Sequence, residues 1–387
     1  MDFRVMRQTS RRIAAFSTVF VLIGTTLFAS IVYFGYVAYR TFAIYSHIKS
    51  NLYGGWDGAI HRSDDELGYA PIPNSSGDQL LPRGAAIPVR YDQDGFRVPK
   101  DHLKSSSGRR PVLLALGCSF TYGKSIPAED AFAFKVGEKL GATVRNAGVF
   151  GYGLAHMLIQ AKKIAPEIKP DYLIVQYSPW LVERSVSPFA PTAFGKIPVP
   201  YFFEQGALMI QPPLFEAKIT QLPIERYRKK KTGFFDFLSF LAHVGIPLFV
   251  HDDVNIGHYT IRRLISRTPD PAKDHQAIVS HVYGEFSRIA LASHSRLVIV
   301  ALTRPDKTAE LPLDLFPENA IVVNGYDALL RKLDTVNEET YRRTYNHWAG
   351  DPPVLVDVHP NTHAHQIIAD EIIHSLRSNN KKPGKHG

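Results

Sequence analysis

Two stretches of this sequence hold side chains that could do chemistry together. The first is Gly117-Cys118-Ser119-Phe120-Thr121-Tyr122-Gly123. An apolar run, 111–116, leads into it, and a helix-like segment, 129–140, follows a proline-containing turn. A sharp turn at the end of a strand exposes a side chain and points backbone N–H groups outward. That geometry serves a nucleophile and the stabilisation of an oxyanion at once. It equally fits an ordinary polar turn whose serine caps a helix. A serine hydroxyl reacts only when a base takes its proton. The second stretch, Val356-Asp357-Val358-His359-Pro360-Asn361, offers His359 as that base, between a short apolar strand at 354–356 and a terminal helix. Asp357 is close enough in sequence to orient the imidazole and stabilise its protonated form. A single histidine before a proline also fits a surface turn. His363 and His365 lie just beyond, but no carboxylate or thiol cluster accompanies them, so a metal site is not expected.

A third stretch, Asn146-Ala147-Gly148-Val149-Phe150-Gly151-Tyr152-Gly153, is rich in glycine. Glycines let backbone approach a ligand and present N–H groups at a helix start. The G-x-x-G-x-G order is not a dinucleotide fingerprint, and no acidic residue follows at the usual distance. Nor is the serine in a G-x-S-x-G elbow, because Thr121 stands where the second glycine belongs; this argues against an α/β-hydrolase fold.

The elements that would position these residues alternate. Apolar runs at 111–116, 171–177 and 296–302 are bounded like buried parallel strands, with weaker strands at 142–146 and 320–323. Helical patterns fall at 129–140, 153–165, 276–293, 325–334 and 361–377. The expected fold class is α/β: a flavodoxin-like three-layer sandwich with a parallel sheet of about five strands. Ligands on such sheets sit beyond the strands' carboxyl ends, where Ser119, Gly151 and His359 all fall. Ahead of it, Ile87 to Tyr91 and Phe96 to Val98 flank the turn signal Asp94-Gly95, a short β prelude. Residues 180–275 interrupt the alternation. This insertion holds a hairpin pattern at 200–210 and a basic run, Arg226, Arg228, Lys229, Lys230 and Lys231. Its aromatic-rich segment 234–250 is either a second membrane-contacting element or a helix packed on the domain. Asp236, His243 and Pro247 favour packing.

Composition sets the frame. The 387 residues are 45% hydrophobic and 21% charged, which describes a globular chain with a formal net charge of +9. Part of that charge sits at the ends, on Arg4, Arg7, Arg11 and Arg12 and on Lys381, Lys382 and Lys385. This distribution suits an anionic membrane surface, and no nucleic-acid signature accompanies it. Cys118 is the single cysteine, so no intrachain disulfide exists. Residues 13–38 carry no charge. At about 1.5 Å per residue they can cross a bilayer core of about 30 Å. Without a convincing cleavage site they read as an uncleaved signal anchor. The arginines ahead of it place residues 1–12 in the cytoplasm and everything after residue 40 outside, in the periplasm of a Gram-negative source. Residues 39–63 read as a tether and 378–387 as a basic disordered tail.

Taken together, the three stretches resemble the SGNH/GDSL hydrolase family, over residues 64–377. Gly117 to Thr121 is similar to its first block, which implies Ser119 as nucleophile. Asn146 to Gly151 is similar to its second, which implies the Gly151 N–H as an oxyanion donor beside that of Ser119, with Asn146 in the site lining. Asp357-Val358-His359-Pro360-Asn361 is similar to its last, which implies a triad of Ser119, His359 and Asp357. Leu67-Gly68-Tyr69, Pro73-Asn74 and Gly95-Phe96-Arg97 are similar to membrane-anchored bacterial members. The third block departs: Trp180 stands about where an oxyanion asparagine belongs, and losing one such donor typically costs about 10²–10³ in kcat. The resemblance implies a membrane-anchored extracytoplasmic esterase. Its substrate would be an acyl or acetyl ester of a lipid or O-acetylated cell-surface glycan, with no cofactor. Acyl transfer to a glycan, or non-catalytic binding of glycan or lipid, are the alternatives it leaves open.

Overall fold

The structure, a computed structural model, describes residues 3–50, 55–57, 60–101, 111–191, 196–204, 207–217, 227, 233–263, 274–307 and 311–380. The basic run at 226–231, apart from Tyr227, lies outside the described residues, as do residues 381–387 of the expected tail.

Helix α1 spans Phe3–Lys49, so it continues past residue 38 through Arg40 to Lys49 without a break. Its stretch Ala15–Lys49 is long and apolar enough to cross a membrane. Phe16, Phe20 and Phe28 point outward with roughly 70% of their surface free. From Val37 the helix acquires a partner. Val37, Ile44, Tyr45 and Ile48 are buried against Phe240, Val244, Leu248 and Phe249. Those come from a helical segment built of Phe234–Phe240, one wider π turn at Leu241–Gly245, and Ile246–Arg263. Gly245 permits the close crossing, since a Cβ there would lie 2.0 Å from Thr41 Oγ1. Ion pairs Arg40–Asp253 at 3.1 Å and Lys49–Asp236 at 3.0 Å flank the contact. The segment 234–263 is packed on α1 and not in the core around the parallel sheet, and its stretch Phe234–Gly257 is also long and apolar enough to cross a membrane.

The main sheet has nine strands. Its antiparallel part is the prelude: β1 (Gly55–Asp57), β4 (Ser76–Leu80), β5 (Ala86–Tyr91) and β6 (Arg97–Val98). Strands β2 (His61–Asp64) and β3 (Gly68–Pro71) form a separate hairpin. Its parallel part is β7 (Val112–Leu116), β8 (Thr143–Asn146), β9 (Tyr172–Tyr177), β14 (Arg296–Ala301) and β15 (Ile321–Asn324), arranged β8-β7-β9-β14-β15. In chain order these five run 2-1-3-4-5, the flavodoxin-like order that the sequence pattern predicts. Leu113, Leu114, Ala115 and Leu116 have no exposed surface, because helices cover both faces. Helix α3 (Phe132–Leu140) packs on Thr362–Asn380, which packs in turn on Gly325–Leu330, and α4 (Leu154–Ile168) packs with His275–Ala292. Within the expected insertion, β10 (Phe189–Pro191) pairs antiparallel with β11 (Lys196–Pro198), and the hairpin pattern forms as β12 (Tyr201–Glu204) paired antiparallel with β13 (Leu208–Gln211).

Candidate active site

Strand β7 ends at Leu116, and Ser119 is the first residue of the short helix α2 (Ser119–Tyr122). Gly123, at φ +77°, stops that helix after one turn. Gly117 is required by crowding: a Cβ would lie 2.0 Å from Thr121 Oγ1 and 2.7 Å from Gln176 Oε1. Gln176, the only amide in β9, is fully buried. Its Oε1 accepts from the Cys118 N–H at 3.1 Å and from Thr121 Oγ1 at 2.9 Å. Its Nε2 donates to Ser178 Oγ at 2.8 Å, which donates to the Leu302 carbonyl at 2.6 Å. The carboxyl ends of β7, β9 and β14 are thereby tied together under the serine. From the prelude, the wholly buried Arg97 donates to the carbonyls of Tyr122, Gly123 and Ile126. The turn is held from both sides.

His359 follows β17 (Val354–Asp357), which pairs with β16 (His347–Ala349) in a small antiparallel sheet of its own and does not extend the main sheet. The structure brings this loop onto the serine: Ser119 Oγ lies 2.9 Å from His359 Nε2. On the other side, His359 Nδ1 makes a short hydrogen bond with Asp357 Oδ1, which also accepts the His359 backbone N–H at 2.9 Å. Asp357 Oδ2 accepts Ser125 Oγ at 2.7 Å and pairs with Lys124 Nζ at 3.1 Å. Ser125 is itself gripped by Gln79, whose Oε1 takes its N–H at 2.9 Å. Burial pushes the Asp357 carboxyl up, but His359, Lys124 and Ser125 outweigh it and hold the group well below the carboxylate range. Burial, and then the Lys124 charge, lower His359 from 6.5 to about 4 against the upward pull of Asp357. The imidazole is therefore neutral at neutral pH. A carboxylate can only accept, so Nδ1 carries the proton and Nε2 is left as acceptor for the Ser119 hydroxyl. That is the arrangement of an activated nucleophile with its base and orienting acid.

The glycine-rich stretch runs beside this turn. Gly148 passes so close that a Cβ would meet the Tyr122 nitrogen at 2.6 Å, and the Val149 N–H reaches the Gly117 carbonyl at 3.2 Å. Asn146 is buried and spent on backbone: Nδ2 donates to the Thr121 carbonyl and Oδ1 accepts the Gly148 N–H, each at 3.0 Å. It braces the turn and is not part of the cavity wall. Gly151 adopts φ +80°, and a Cβ there would strike Tyr69 Oη at 2.5 Å. Tyr69, from the prelude, donates to the Phe150 carbonyl and accepts Tyr152 Oη at 2.6 Å on its own carbonyl. Among the described residues neither the Ser119 nor the Gly151 N–H has a hydrogen-bond partner.

A cavity of about 370 Å³ has Ser119 and His359 in its wall together with Phe120, Trp180, Arg184 and Arg304. Trp180, on helix α5 (Pro179–Val186), meets Phe120 edge to face at 5.2 Å. The Cys118 thiol lies 3.8 Å from Ser119 Oγ. Burial pushes it up, but Arg184, the Phe120 N–H, the Trp180 indole and Gln176 together bring it below its ordinary value. Among the described residues no group of three or more His, Cys, Asp or Glu side chains could hold a metal ion. His365 accepts the Phe132 N–H through Nδ1, and His363 stacks on Tyr345.

Sequence reasoning missed Lys124, Ser125, Gln79, Gln176, Arg184 and Arg304. Gln176 did leave a signal, as an amide inside an otherwise apolar strand. The others sit in turns, in helix α5 and, for Gln79, in strand β4, with no pattern to mark them.

No protein-family model matches the chain, and no curated protein matches it. Solved structures do. The crystal structure of a member of the lipolytic G-D-S-L protein family from Veillonella parvula DSM 2008 is 13% identical, covers 68% of this chain and 96% of its own, with a TM-score of 0.31. The psychrotrophic esterase EstA from a Pseudoalteromonas species is 10% identical over 70% of this chain and 100% of its own, at 0.33. AlinE4, a SGNH-hydrolase family esterase, is 28% identical over 21% of this chain and 48% of its own, at 0.19. By their names these are a lipolytic G-D-S-L protein, an esterase and an SGNH-hydrolase family esterase. At TM-scores this low the likenesses carry no argument; weight rests on the sheet order and the side-chain geometry.

Proposed function

We propose that the chain is a serine ester hydrolase of the SGNH type, anchored in a membrane through residues 13–38. The observation that supports it most is the 2.9 Å contact of Ser119 Oγ with His359 Nε2, with Asp357 on the opposite ring nitrogen. Ser119 Oγ attacks the ester carbonyl as its proton passes to His359 Nε2. Asp357 holds the imidazolium. The oxyanion forms against the N–H groups of Ser119 and Gly151. His359 returns the proton to the leaving alcohol, and water, deprotonated by the same nitrogen, releases the acyl group and frees the serine. The substrate is an acyl or acetyl ester on a lipid or O-acetylated cell-surface glycan.

The proposed layout follows the expected one. Residues 1–12 are cytoplasmic, 13–38 span, 39–63 form the connection, and 64–377 stand outside with the excursion at 180–275. Trp180 in place of an amide is the feature that favours non-catalytic binding. A fluorophosphonate probe separates the two readings, because it reports an activated serine without needing the substrate. On the detergent-solubilised chain it should label wild type and not Ser119→Ala. A wild type that never labels, yet still binds a glycan or lipid, overturns the esterase reading. A C-terminal reporter active only in the cytoplasm overturns the topology.

A further inference from the structure

Arg184 and Arg304 put two guanidinium groups into the wall of the cavity that holds Ser119 and His359. Arg184 projects from α5 and Arg304 from the loop after β14, so the chain brings them there from separate elements. Among the described residues no ion pair joins either one to another residue of the cavity wall. Among the described residues the hydrogen bond of Arg184 is a long one, 3.4 Å to the Tyr152 carbonyl. Arg304 pairs with Asp306 at 3.3 Å, a carboxylate outside the cavity wall and 42% exposed. Arg304 Nε is buried and has no hydrogen-bond partner. The remaining guanidinium surface of Arg304 rests 5.2 Å from the centre of the Trp180 ring. The acid in the same wall, Glu183, is exposed and interacts electrostatically with His275. The charge of Arg184 is felt at the site itself, by both Cys118 and His359.

A guanidinium is a rigid planar fork of donors that carboxylate and phosphate match in pairs. Leaving such donors in a partly dry wall is costly unless something accepts from them. An aromatic face beside them orients the fork and excludes water from the contact. We infer that this wall is an anion subsite, and that the ester turned over at Ser119 carries a carboxylate or phosphate on the portion lying against Arg184 and Arg304. The inference rests on the esterase reading and names its substrate class.

The test uses paired small esters on the detergent-solubilised full chain. A carboxylate on the acyl side is probed by 4-nitrophenyl succinate against 4-nitrophenyl butyrate. A carboxylate on the alcohol side is probed by 4-acetoxybutanoate against its amide, and a phosphate by 3-acetoxypropyl phosphate against 3-acetoxypropanol. At least one anionic ester should lead its neutral partner in kcat/KM by about ten- to a hundredfold. The lead should vanish in Arg184→Gln and in Arg304→Gln, and Arg304→Lys, which keeps the charge and loses the fork, should retain part of it. Neutral esters equal or better in every pair overturn the inference, as does a lead that survives both substitutions. The same preparations are labelled with the fluorophosphonate. Labelling without anion preference sinks this inference alone, whereas absence of labelling sinks the esterase reading beneath it.

Discussion

Replacing Gln176 by leucine removes two buried hydrogen-bond acceptances without changing the size of the side chain much. Gln176 Oε1 is the acceptor for the Cys118 N–H at 3.1 Å and for the Thr121 hydroxyl at 2.9 Å, and all three residues have no exposed surface. No water can reach to replace it. Ser178 Oγ keeps its bond to the Leu302 carbonyl, so it is not orphaned. Two buried donors left unpaired cost about 1–3 kcal/mol each, which gives about 2–6 kcal/mol of lost stability for Gln176→Leu. The donors belong to the turn that holds Ser119, so the loss is local before it is global. The hydroxyl should wander from His359, and fluorophosphonate labelling should slow while the fold persists in mild conditions. Denaturant unfolding of the detergent-solubilised chain measures the first effect through its midpoint at constant slope. Timed labelling measures the second. A variant that unfolds within about 1 kcal/mol of wild type and labels at the same rate would refute the view that this amide holds the nucleophile's turn.

Ser119→Ala and His359→Ala should each abolish ester hydrolysis, with the double variant little worse than either, because residues that act as one unit are not additive. The acid limb of kcat/KM should fall far below pH 6.5, towards about 4, since only neutral His359 accepts the serine proton and its folded value is lowered to about 4. Lys124→Met removes one cause of that lowering and should move the limb back up, read from a pH–rate profile. The same histidine binds its proton more weakly folded than unfolded, so its contribution to stability declines as pH falls from 6.5 towards about 4. Gly117→Ala should lower the unfolding midpoint, because its Cβ would sit 2.0 Å from Thr121 Oγ1. Trp180→Asn tests the missing amide: if the two backbone donors leave the oxyanion under-stabilised, kcat should rise by up to about a hundredfold.

The parallel sheet was legible because each of its strands is a short apolar run between turns, and the alternation with helices fixes the order on few alternatives. Ser119 and His359 were legible as a pair for a related reason. Each sits at the exit of an apolar run, although only the run before Ser119 belongs to the parallel sheet, the run before His359 pairing with 347–349. What was not legible depends on partners distant in sequence. The continuation of α1 past residue 38 is masked by Arg40, His47 and Lys49, and its buried face is defined only by residues 240–249. The strand before His359 looks as though it should join the main sheet, but its neighbour is 347–349, next to it in the chain. Ser125 and Lys124 have no pattern at all, because a left-handed turn residue, at φ +73°, delivers them to Asp357. Asn146, expected in the site lining, is spent on nearby backbone, as short polar side chains at turns often are. The prelude motifs acquired a reason: Tyr69 steadies the turn of Gly151, and Arg97 the turn of Ser119.

The unbroken path of α1 from its outward-facing apolar length into the contact with 234–263 makes it a stalk and not a leash. The eleven residues from 39 to Lys49 carry the helix about 16 Å beyond the apolar stretch. The clamps at Arg40–Asp253 and Lys49–Asp236 hold that stalk against 234–263. A leash lets an enzyme search a hemisphere; a clamped stalk fixes both the height and the heading of its mouth. Under the proposed anchoring and esterase reading, substrates would be selected partly by altitude, with an ester group presented at one distance from the bilayer reached by every anchored copy, and identical esters nearer or farther left untouched.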